Sequence, residues 1–77
     1  MDLTVKTIKD VTKFLENYFS LNFSYDSIEI KYVYDNNFRV NLKDNDFRII
    51  GSFFVTAEKD KILNIKPPYA ETNTTGA

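Results

Sequence analysis

From Thr7 to about Leu21 the apolar residues return at helical spacing. Ile8, Val11, Leu15, Tyr18 and Phe19 share one arc at ~100° per residue, with Phe14 at its margin. Lys9, Lys13, Glu16, Asn17 and Ser20 take the opposite side. Thr7 suits an N-cap, and Asp10 three residues on suits the positive end of a helix dipole. The spacing predicts an amphipathic helix over 7–21. Before it Leu3 and Val5 alternate, so segment 1–6 fits a short leading strand, a helix extension or a cover for the sheet.

From Ser27 the period becomes two. Ile28, Ile30, Tyr32 and Tyr34 alternate with Ser27, Glu29, Lys31 and Val33. Phe38, Val40 and Leu42 then alternate with Arg39, Asn41 and Lys43, and Phe47, Ile49, Gly51, Phe53 and Val55 with the residues between them. A last short run is Ile62-Leu63-Asn64-Ile65. The breaks, Asp35-Asn36-Asn37, Asp44-Asn45-Asp46 and Glu58-Lys59-Asp60, are rich in residues that close turns, so they read as hairpin loops. Strands are predicted over 27–34, 38–43, 47–56 and 61–66, with Gly51 at a bulge or a close backbone approach. The fold class is α+β: two layers, one N-terminal helix packed on a four-stranded antiparallel meander. Residues 1–68 form one domain, and 69–77, beyond Pro67-Pro68, are expected to be a disordered tail.

That architecture leaves one sheet face without a helix. The covered face takes Ile28, Ile30, Tyr32, Phe38, Val40, Leu42, Phe47, Ile49, Phe53 and Val55. The open one should be polar, yet it receives Val33, Ile50, Phe54 and Ile62 among Lys31, Arg39, Lys43 and Arg48, with Glu29 the main acid. Apolar residues rimmed by charge mark an interaction surface. Against this stands the plain reading that open faces carry stray β-branched residues for strand propensity. Val33, Ile50, Phe54, Ile62, Lys31, Arg39 and Arg48 are therefore the candidate partner-binding set, for a protein partner or for a homodimer about a two-fold axis.

Composition narrows the chemistry. The chain has no Cys and no His, which removes disulfides, thiol chemistry, imidazole catalysis and Cys/His metal sites. A net charge of −1 gives no strong field to attract nucleic acid, so single-stranded nucleic acid on the basic, aromatic face is the alternative reading and protein binding the first. The pairs Asp44/Asp46 and Glu58/Asp60 fall in turns, where water keeps carboxylates ordinary. Ser20, Ser24, Ser27 and Ser52 have no base to activate them. Asp44-Asn45-Asp46 opens like a calcium loop, but Arg48 replaces the next ligand. Pro67-Pro68-Tyr69 departs from a WW-domain ligand by one position, Ala70 standing where Tyr should be. No enzyme, cofactor or metal is expected.

No apolar run approaches the about 18–20 residues of a membrane span, and the opening residues lack a signal-peptide pattern, so a cytoplasmic location is expected. Asn, Lys, Ile, Phe and Tyr, residues of A/T-rich codons, make up 35 of the 77 positions. In size and composition the chain resembles small phage or mobile-element accessory proteins. Some of these are inhibitors that act by occupying a host protein surface.

Overall fold

The computed structural model describes residues 2–66. One helix, α1 (Val5–Asn22), precedes four strands, β1 (Ser27–Tyr34), β2 (Asn37–Lys43), β3 (Ile49–Glu58) and β4 (Lys61–Lys66). The strands pair antiparallel in the order β1-β2-β3-β4, an open meander with the helix on one face. The expected tail at 69–77 lies outside the described residues. Among those described, no helix is long and apolar enough to cross a membrane.

The helix begins two residues earlier than its periodicity suggests. Thr4 is the N-cap, its hydroxyl oxygen accepting the Thr7 N–H at 3.2 Å, so Thr7 lies inside the first turn. Among the described residues there is no leading strand. Asp2 and Leu3 are instead tied to the β1–β2 turn. The Leu3 N–H donates to the Tyr32 hydroxyl at 3.0 Å, and that hydroxyl donates to the Asp35 carbonyl at 2.9 Å. Asp35, at a φ of 51°, also donates its N–H to the Asp2 carboxylate at 3.2 Å. This places segment 2–4 at one end of the core, away from the open face.

The stripe Val11–Leu15–Phe19 is fully buried against Phe38, Val40, Leu42, Val55 and Ala57. Ile8, Phe14 and Tyr18 flank it, half-buried. The helix runs back along β3. Asp10 lies 3.8 Å from Lys59 beyond one end of that strand, while Phe19 and Phe23 close on Phe53 towards the other. Phe23, the C-cap, stacks on Phe19 with centroids 5.1 Å apart. Gly51 makes room for this cluster: a Cβ there would stand 3.2 Å from the Phe53 ring.

Each pair of neighbouring strands carries one register shift, and these shifts overturn several face assignments. In β2–β3, Leu42 pairs with Gly51 and Lys43 with Ile49, leaving Ile50 as the extra residue. Ile49 is 56% exposed as a result and lies outside the core. Phe47 does not enter β3 at all. It occupies the hairpin Asp44–Arg48 at a φ of 62°, donating its N–H to the Asp44 carbonyl, with its ring 75% exposed. In β3–β4, Ala57 pairs with Ile62 and Thr56 with Asn64, so Leu63 is extra. Ile62 and Ile65 therefore both turn towards the helix, and Ile62 is not on the open face.

Two substitutions test this packing. Leu15→Ala is expected to cost ~2–5 kcal/mol of unfolding free energy in chemical denaturation, as removal of a fully buried side chain does. Phe47→Gly is expected to gain about 0.5–1 kcal/mol, because it relieves a left-handed backbone and gives up little burial.

Candidate functional site

Register brings together four residues on the open face. Lys31 pairs with Arg39, Arg39 with Phe54, and Phe54 with Lys66, one from each strand in a single row. Opposed residues point to the same side of a sheet, so the Phe54 ring has a cation on each flank. Phe54 is half-buried by this setting, while Lys31, Arg39 and Lys66 are exposed. Lys66 was not among the candidates. Its signal was its position four residues beyond Ile62, which in an unbroken alternation falls on the same side as that residue.

The rows on either side are polar and internally bonded. In one, Glu29, Asn41 and Ser52 are aligned. The Ser52 hydroxyl donates to Asn41 Oδ1 at 2.8 Å, and Asn41 Nδ2 donates to Glu29 Oε1 at 3.2 Å. Lys43 Nζ lies 3.6 Å from the same carboxylate oxygen. In the other, the Thr56 hydroxyl donates to Asn37 Oδ1 at 2.6 Å. Glu29 is thus held by hydrogen bonding to Asn41 and by the Lys43 charge below its ordinary value of 4.5. The face carries Lys31, Arg39, Lys43, Lys61 and Lys66 against Glu29 and Glu58, although the whole chain is at −1.

The other sequence candidates are not gathered here. Val33 sits at the β1–β2 register shift, 42% exposed, near the opposite end of the sheet from Ile50 at 54%. Arg48 precedes β3 and folds back on its own hairpin, 3.2 Å from Asp46 and 3.7 Å from Asp44. Its charge is spent locally. Asp44 Oδ1 also accepts the N–H groups of Asp46 and Arg48, so this carboxylate shapes the turn. Among the described residues no group of three or more Asp or Glu side chains is arranged to hold a metal ion.

Comparison with models of protein families, with curated proteins and with solved structures found no match.

The depressed Glu29 carboxyl gives a direct test of the face's electrostatics. Its contribution to stability is present above the ordinary carboxylate value and is lost as pH falls through the lowered one. In an NMR titration Glu29 is expected to have a midpoint below 4.5, and Asn41→Ala should raise it more than Lys43→Met does.

Proposed function

We propose that this protein is a small non-catalytic binding module whose open sheet face engages an acidic surface of a partner protein. The observation that carries the reading is the row Lys31–Arg39–Phe54–Lys66. An aromatic ring supplies apolar area at low entropic cost, and cations around it set orientation and steer association. The rows beside it are already hydrogen-bonded to themselves, so they offer a preorganised surface at little further ordering cost.

The same row weighs against two copies meeting face to face. A two-fold axis through it would bring Lys31, Arg39 and Lys66 close to their own copies, and like charges in an interface are costly. A partner bearing Asp and Glu removes that penalty. The A/T-rich composition supports a phage or mobile-element accessory protein as the bearer of this face, the partner then being a host protein.

Single-stranded nucleic acid is the second reading, since one ring flanked by cations can also stack a base and hold phosphates. The two separate on salt and on the ring. With immobilised full-length chain in host extract, the first reading expects a nuclease-resistant protein that is retained at moderate salt. Phe54→Ala should weaken that complex by ~2 kcal/mol or more while leaving the thermal melt nearly unchanged. Arg39→Glu should act mainly on association rate and salt dependence. Capture that nuclease abolishes, with oligonucleotide affinity falling steeply with salt, would favour nucleic acid instead.

A further inference from the structure

The ten residues of β3 are only partly covered by β4. On one side β3 is paired with β2 from Ile49 onward. On the other, pairing with β4 begins at Phe54↔Lys66 and runs towards Glu58. Among the described residues, Ile49–Phe53 therefore has one edge with no strand against it. Alternate residues of such an edge turn an N–H and a C=O outward, and these need partners.

Proteins usually blunt an exposed edge with Lys, Pro, an inward charge or a β-bulge. β1 has Glu29 and Lys31, and β4 has Lys61 and Lys66. The run from Ile49 to Ala57 has no charge and no proline, and its one irregularity is the bulge at Ile50 on the β2 side. Its open end instead displays Ile49 and Ile50, each more than half exposed, with Phe47 just before them. Phe47 is a bulky residue held in a left-handed conformation and left in water, so neither local backbone preference nor core packing accounts for it.

We infer that Ile49–Phe53 is a β-augmentation edge, and that its occupant is the same segment of a second copy, paired antiparallel about a two-fold axis near Gly51. An uncharged segment has no electrostatic means of selecting a foreign strand, whereas an antiparallel pair of identical strands matches itself donor to acceptor. The open stretch is bounded by the hairpin at Arg48 and by the end of β4 opposite Phe54. Two copies fill each other's gap, and the arrangement closes at two without leaving a new edge of the same kind. Ile49 and Ile50 of both copies then lie beside the joint. The interface is separate from the row around Phe54, so this inference stands or falls independently of the proposed partner.

The test uses the full 77-residue chain. Sedimentation is followed from about 20 µM to about 1 mM, with amide hydrogen exchange read at both ends of the range. The expectation is a monomer–dimer equilibrium in which alternate amides of Ile49–Phe53 gain protection with concentration. Ile49→Lys combined with Ile50→Lys should raise the dissociation constant about tenfold or more, with an unchanged circular dichroism spectrum. Protection that does not vary with concentration would mean that the chain's own segment covers the edge, and would overturn the proposal. So would a monomer throughout with these amides unprotected, which would leave the edge to a different protein. A dimer equally strong in the lysine variant would place the contact elsewhere.

Discussion

Everything in this molecule depends on a single apolar contact, the Val11–Leu15–Phe19 stripe pressed onto the middle of the sheet. Eight side chains make up the buried core of the described residues, and all are apolar. A chain of this size, with no disulfide to shrink its unfolded ensemble, has few other sources of stability. One helix can cover only one face of a sheet. The second face must then be stabilised in water, and it is, by hydrogen bonds between side chains on neighbouring strands. The polar ladder and the cationic row are thus the counterpart of a one-sided core.

Much of this was legible in the residue pattern. A period of 3.6 followed by a period of two gave the helix and four strands, because one side of each element must be apolar wherever the other meets water. The central members of the face were equally legible: Lys31, Arg39 and Phe54 lie in regular stretches between shifts. What the alternation could not convey is where a strand admits an extra residue. A bulge is a backbone event with no required side chain unless it needs a left-handed glycine, and none of these does. Ile49 and Ile62 were misread for that one reason. Phe47 was misread for another. Its type belongs in a core, and only the Asp44 hydrogen bonds reveal that it closes a hairpin. Thr4 was passed over as a cap because the helix's first turn is largely exposed and adds little to the apolar stripe.

Net charge was the least informative quantity in the sequence. Its value near zero is a cancellation between a sheet face rich in Lys and Arg and acids placed largely in turns and connecting segments, the helix itself carrying Lys6, Lys9 and Lys13 against Asp10 and Glu16. Asp44 and Asp46 neutralise Arg48, and Asp10 meets both Lys6 and Lys59. Over a Debye length of about 8 Å at physiological salt, a partner approaching the open face experiences the local surplus of cations rather than the total.

The order β1-β2-β3-β4 has a consequence for the chain's life before it is folded. Every strand pairs with its neighbour in sequence through a tight turn, so the sheet can be assembled hairpin by hairpin with short loops to close. Low sequence separation between contacts favours rapid folding. That matters for the run IIGSFFV, whose uncharged, β-prone composition is the sort that associates indiscriminately when left unpaired. In this topology β2 can pair along that run as soon as their hairpin closes, leaving only its short outer edge to be managed by the native protein. Nearest-neighbour connectivity is, in this sense, a kinetic safeguard for a strand that carries no gatekeeping charge of its own.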